Sequence, residues 1–180
     1  MKLNNPRNHP TLSLLEREAE KFCGQMFKNP QNGRMLLLAG ANGNGKSYTA
    51  KAIQAWVSNC GHGSRFMSGG RVSFLESQYF HWPNLLDRLK AGEWNIVTPM
   101  LSCPCLVLDE VGGEHDPSMV GVDKLCQILS HRENKWTVVT TNIDPSMWEQ
   151  KFDRRVASRF FRNSTLIDMS NVPDYSLNHP

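Results

Sequence analysis

At 180 residues, 39% hydrophobic and 21% charged, the chain has the composition of one ordinary globular domain without low-complexity tracts. A domain of this size buries about 70% of the surface its unfolded form exposes. A net charge of +3 is too small to argue nucleic-acid binding by itself. No signal peptide, lipidation motif or apolar run of membrane length is visible, so a soluble, cytoplasmic protein without a membrane partner is expected.

The charge is unevenly spread: residues 1–60 hold eight Lys/Arg against three Asp/Glu, and residues 61–120 hold four against seven. The acidic middle includes adjacent carboxylates with a metal-site look, so the asymmetry is read as catalytic. The five cysteines, Cys23, Cys60, Cys103, Cys105 and Cys126, are odd in number and lack zinc-site spacing. Buried free thiols in a reducing compartment are the expected state.

In chain order, residues 1–10 have no periodicity and are expected to be a flexible lead-in to a domain over 11–170. Thr11 can cap a helix over 11–28, with Leu12, Leu15, Ala19, Phe22 and Met26 at helical spacing. Asn29 to Gly33 ends it and feeds a first strand, Met35 to Ala39. A helix from Tyr48 to Val57, a Gly/Ser-rich loop from Asn59 to Gly70 and a second strand from Val72 to Glu76 follow. Trp82-Pro83 then opens a helix whose apolar face is Leu85, Leu86 and Leu89, ended by Ala91-Gly92.

Cys105 to Leu108 is a continuous apolar run, as in a strand covered on both faces. A helix from about Ser118 to Glu133, a buried strand from Trp136 to Thr140 and a short helix opened by Asp144-Pro145 come next. Phe152 to Phe161 is helical and Arg-rich, Thr165 to Met169 is a last strand, and 171–180 is a tail. Strands alternating with helices imply an α/β fold with a parallel sheet between helices, with ligands at the carboxyl ends of the strands.

Four stretches carry chemistry. The first is Gly40-Ala41-Asn42-Gly43-Asn44-Gly45-Lys46-Ser47, followed by Tyr48, set between an apolar strand and a helix. That context turns G-x-x-x-x-G-K-[ST] into a phosphate-binding loop. Its glycines let backbone N–H groups converge on phosphate at the positive end of the helix. Lys46 brings a mobile charge to the β- and γ-phosphates, and the Ser47 hydroxyl can ligate Mg²⁺.

The second is Leu106-Val107-Leu108-Asp109-Glu110, a buried strand ending in two acids. Asp109 would hold Mg²⁺ through water, while Glu110 would orient or deprotonate an attacking water. The third is Val138-Val139-Thr140-Thr141-Asn142, whose terminal amide can contact the γ-phosphate or the water. The fourth is Asp153-Arg154-Arg155-Val156-Ala157-Ser158-Arg159-Phe160. Arg155 and Arg159, four apart, share a helix face and suit either a neighbour's γ-phosphate, a solvated surface or DNA phosphate.

Together these stretches resemble the AAA+ ATPases, and more narrowly the helicase-loader and transposition-regulator group of DnaC and IstB type. The resemblance runs from Gly33 to Phe161 and rests on GANGNGKS, LVLDE with Val111-Gly112, the TTN strand end and RRVASRF. It implies a five-stranded P-loop NTPase core, ATP and Mg²⁺, and self-assembly into a ring or spiral on DNA. Arg159 would be the arginine finger and Arg155 its support. Two departures are legible: only about thirty residues precede the first strand, where the group usually carries a partner-gripping domain, and Asp174-Tyr175-Ser176 stands where the group tends to show Ser-Tyr-Arg, with no helical lid following.

The function expected from this resemblance is an ATPase stimulated by assembly or DNA, acting on single-stranded DNA as a loader of a replicative helicase of phage or bacterial type. Alternatives are a transposition target-selection ATPase, a nucleotide kinase and a non-hydrolysing ATP-gated interaction module. Relatives place DNA-facing elements between the two nucleotide motifs, which nominates Arg65, Arg71, Arg88 and Lys90 for phosphate. Phe74, Tyr79, Trp82 and Trp94 are candidates for base stacking, with most expected in the core.

Overall fold

The computed structural model describes residues 9–63 and 77–174, with side chains for 9–59 and 77–174. The elements are α1 Pro10–Lys28, β1 Met35–Ala39, α2 Lys46–Gly63, β2 Ser77–His81, α3 Trp82–Lys90, α4 Val97–Ser102, β3 Cys105–Val111, α5 Val120–His131, β4 Trp136–Thr141, α6 Trp148–Phe161 and β5 Ser164–Asp168. The five strands form one parallel sheet in the order β2-β3-β4-β1-β5. Parallel strands need crossover helices, and these cover the sheet on both sides.

Side chains alternate across each strand, so one strand feeds two cores. Leu36 and Leu38 of β1, Cys105 and Val107 of β3, and Trp136 and Val138 of β4 pack under α1 and α2. Met35, Leu37, Leu106, Leu108 and Val139 face α3, α5 and α6 on the other side. The first core is locked by Phe22 edge-on to Trp136 at 5.0 Å, and the second by Trp148 edge-on to Phe160 at 5.1 Å. Truncating a fully buried Leu such as Leu37 to Ala would cost about 2–5 kcal/mol, transfer and cavity terms together.

Several boundaries differ from the sequence reading. Thr11 does not cap α1: Pro10 occupies the first turn, and the Thr11 hydroxyl donates instead to Asn171 Oδ1 at 2.9 Å. Helix α2 runs through Asn59 to Gly63, where a loop was expected. The expected second strand, Val72 to Glu76, lies outside the described residues; the described one is Ser77–His81. Its polar sequence fits a half-buried edge strand, which needs no apolar run. Helix α5 begins at Val120 because Met119 is left-handed (φ 58°) and the Asp116 carboxylate accepts from Gly121 N. Helix α4, six residues with Pro99 inside, has no signature in the sequence.

The four described cysteines, Cys23, Cys103, Cys105 and Cys126, are buried free thiols. Beside them lies Arg132, 3% exposed, whose guanidinium donates to the carbonyls of Met100, Cys103 and Trp136. A caged cation of this kind ties β4 to α4. Among the described residues no helix is long and apolar enough to cross a membrane.

Candidate functional site

Strand β1 lies between β4 and β5, and its carboxyl end delivers the loop Gly40 to Gly45 into the mouth of the sheet. Gly45 has φ +94°, and a Cβ on it would meet nothing within 4 Å. An open face over a backbone that only glycine readily adopts is what a phosphate approaching N–H groups requires. The residues present therefore fit a nucleotide phosphate. Lys46 is 5% exposed and donates to Gly40 O at 2.8 Å, Ala41 O at 2.6 Å and Asn44 Oδ1 at 3.1 Å. Burial pulls its pKa down, against the charges of Asp109 and Glu110, which raise it. Its ammonium is folded onto the loop's own acceptors.

Two contacts at this loop were not legible as such. Fully buried Asn44 accepts from Lys46 through one amide atom and donates through the other to Met169 O at 3.0 Å. The amide clamps the loop to the end of β5. Gly43 has φ +72°, and a Cβ there would fall 1.8 Å from Asp174 Oδ1. Asp174, two residues before the position where the family resemblance would place an arginine, lays its carboxylate against the phosphate loop. Ala41 and Asn42 are exposed, Ser47 is half-buried in the first turn of α2, and Tyr48 is 61% exposed beside it.

The two acids end up facing different partners because β3 is irregular there. Its pairing with β4 shifts between Leu108 and Val111, and Glu110 takes φ +62°. In a regular strand Val111 would share a face with Cys105 and Val107, yet it packs in the opposite core. A bulge re-aims a side chain in just this way. Asp109, 2% exposed, accepts from Tyr79 OH and from Thr140 Oγ1, both at 2.5 Å. Burial first, then the bond to Asp109, drives the Tyr79 phenol upward.

Thr140 also accepts from Glu110 N at 2.9 Å, so one hydroxyl fixes both acids. Glu110 Oε2 lies 2.9 Å from His81 Nε2. A carboxylate can only accept, so Nε2 carries the proton. Asn142 follows β4, which runs between β1 and β3, and so lies between the phosphate loop and the acids. Lys46, Asp109, Glu110 and Asn142 are thus gathered at one end of the sheet. Ser47 and Asp109 are the residues that could hold Mg²⁺.

The arginines are not there. Helix α6 breaks at Asp153 (φ 66°, ψ 169°), whose carboxylate accepts from Arg155 N and Val156 N and restarts the helix. The Arg155 guanidinium folds back onto Asp153 and Asp123, each at 2.7 Å, and these bonds raise its pKa. Arg159 donates from Nε to Ser130 Oγ at 2.9 Å and from Nη1 to Arg155 O at 2.8 Å. It lines a cleft with Met35 and Thr137, at the amino ends of β1 and β4. Arg155 and Arg159 lie one turn apart in the restarted helix, with their guanidiniums bonded to different side chains.

The DNA-contact candidates are dispersed. Arg88 pairs with Glu93 and Lys90 with Asp116, each at 2.9 Å, and Arg65, Arg71 and Phe74 lie outside the described residues. Trp82 is fully buried, Tyr79 is held at Asp109, and Trp94 is 51% exposed beneath Lys124.

This topology has solved counterparts. No protein-family model and no curated relative matches the chain. Among solved structures, the DnaC helicase loader superposes with a TM-score of 0.69 at 21% identity, over 93% of this chain and 92% of that one. The two chains share one fold. DnaI is similar with a TM-score of 0.70 at 23% identity, covering 93% of this chain and 87% of that one. The replication initiator DnaA, bound to AMPPCP and single-stranded DNA, is similar with a TM-score of 0.59 at 19% identity, covering 84% and 45%. The expected P-loop NTPase architecture, a five-stranded parallel sheet between helices, is the one observed.

Proposed function

We propose that the chain binds ATP with Mg²⁺, hydrolyses it at a site completed by a second copy, and acts on single-stranded DNA as a loader of a replicative helicase. One observation carries the assembly reading. Arg159 sits at the amino end of the sheet, whereas the phosphate loop leaves its carboxyl end. The five residues of β1 separate them by roughly 16 Å at about 3.3 Å per residue. An arginine so placed cannot reach its own chain's phosphates, but it can reach those of another copy.

Within one copy, Lys46 would leave its three loop acceptors for the β- and γ-phosphates, a charge-assisted exchange. Mg²⁺, held by Ser47 and through water by Asp109, would neutralise the charge developing on the phosphates. Glu110 has one carboxylate oxygen held by His81 and the other outside that bond to orient water and take its proton. Asn142 would donate its amide to the γ-phosphate, and Arg159 of the next copy would balance the charge that grows there. The helicase and DNA reading rests on likeness: two neighbours are DnaC and DnaI, DnaC being a helicase loader, and a third is an initiator seen with single-stranded DNA.

The test is ATP turnover per chain against protein concentration, with and without single-stranded DNA, followed by recovery of a replicative helicase on that DNA. Turnover that climbs with concentration, and helicase retained only with ATP and this protein, support the proposal. Turnover per chain independent of concentration would refute hydrolysis between copies, and helicase left off the DNA would refute loading.

A further inference from the structure

The cleft around Arg159 contains more positive charge than one arginine finger needs. Five basic side chains line it, Arg34, Arg132, Lys135, Arg159 and Arg162, against one carboxylate, Glu133. Arg132 is taken up by its cage of carbonyls, Lys135 by Leu101 O at 2.7 Å, and two of the three Arg159 nitrogens by Ser130 Oγ and Arg155 O. Three guanidiniums then face one acid, and the fit is loose. Arg162 Nη1 stands 3.7 Å from Glu133 Oε1, beyond hydrogen-bond length. Arg34 Nε is buried with no hydrogen-bond partner. A buried guanidinium N–H left unpaired is costly, and an anion arriving in the recess would give it an acceptor.

We propose that Arg34, Arg159 and Arg162 form a phosphate-oxyanion site that receives the terminal phosphate of the next copy's nucleotide, with Glu133 as the internal counter-ion it displaces. The inference rests on the assembly reading above and adds two cations and a competing acid to it. Three features favour a single terminal phosphate over the backbone of a nucleic acid. The site is a recess between the ends of α5 and α6 rather than a track. Its guanidiniums come from two segments: the residue before β1, and the last turn of α6 with the residue following it. Arg159 is already oriented by Ser130 and by the Arg155 carbonyl. Planar guanidiniums suit such recognition because each offers paired donors to neighbouring oxygens.

Glu133 gives the proposal a prediction of opposite sign. Removing a structural ion pair weakens a protein, whereas removing a competitor strengthens the binding it opposed. Arg34→Gln, Arg162→Gln and Glu133→Gln are to be compared with Arg159→Ala and the unaltered chain. ATP affinity is measured at low protein concentration, and turnover and assembly are measured across a concentration series. Arg34→Gln and Arg162→Gln should bind ATP normally but turn over roughly ten- to hundredfold more slowly when assembled. Arg34→Lys, which keeps the charge and guards against misfolding, should recover part of the loss. Glu133→Gln should assemble at severalfold lower concentration.

If Arg159→Ala loses turnover while both Gln variants of the arginines keep it, the cleft is not the phosphate site and assembly through Arg159 stands. If Arg159→Ala also keeps turnover, the assembly reading itself fails. A single-stranded oligonucleotide, titrated without ATP, gives the other arm. Loss of its binding in Arg34→Gln with unchanged turnover would assign the cleft to nucleic-acid phosphate and overturn the proposal.

Discussion

The two ends of the sheet are chemical opposites. At the carboxyl end, open glycine backbone and two carboxylates surround a lysine that is bound to its own loop. At the amino end, three guanidiniums share one loosely placed acid. Each end is unbalanced in its own way: at the first, the buried cation is the loop's own Lys46, and at the second one carboxylate stands against three guanidiniums. Both sit on the same rigid strands, so no local movement can bring them together within one chain. A second copy can.

Four substitutions sharpen that contrast, beginning with the largest effect. Arg159→Ala should lower assembled turnover by about 10³-fold while leaving ATP binding by dilute protein intact, as read by fluorescent-nucleotide titration beside a steady-state assay. Unchanged turnover would remove the finger assignment. Glu110→Gln should slow hydrolysis by roughly 10²-fold and keep ATP bound, stabilising the assembly in sedimentation. Lys46→Ala should weaken ATP binding by several tens of fold, since it removes charge-assisted contacts at the opposite end from Arg159.

The smallest effect concerns the break in α6. Burial works against the Asp153 carboxylate, but the Arg155 side chain and the backbone N–H groups of Val156 and Arg155 outweigh it and hold its pKa below the usual range. A depressed carboxylate contributes stability that is present above its unfolded value and lost as pH falls through the folded one. Thermal unfolding should therefore show an acid-side loss beginning below about pH 3.9, and Asp153→Asn should flatten it. An unchanged acid limb would mean that Asp153 is not what restarts the helix.

The sequence made one end of the sheet much more legible than the other. Leu36 to Ala39, Leu106 to Leu108 and Val138-Val139 are continuous apolar runs because strands covered on both faces need no alternation. The polar residues that follow these runs therefore stand out at the carboxyl end. What aims them was hidden. Glu110 turns at a bulge that exists only against β4, and its partner His81 comes from a polar edge strand. Tyr79 and Thr140 meet Asp109 across strands, at separations no local pattern encodes. The amino end was harder still. Arg34 reads as a lone basic residue before a strand, and Arg162 as the end of a helix. Only the packing of α5 and α6 collects them beside Arg159. Asp153 interrupts what looks like unbroken helix and holds the Arg155 guanidinium.

Mixing two inactive variants tests the shared site most directly. Lys46→Ala keeps an intact arginine face, and Arg159→Ala keeps an intact phosphate loop. If each nucleotide is held by one copy and completed by the next, an equal mixture should restore ATP turnover to about a quarter of the unaltered level, the fraction of junctions that pair the two good halves. A mixture no more active than its two components would contradict hydrolysis between copies.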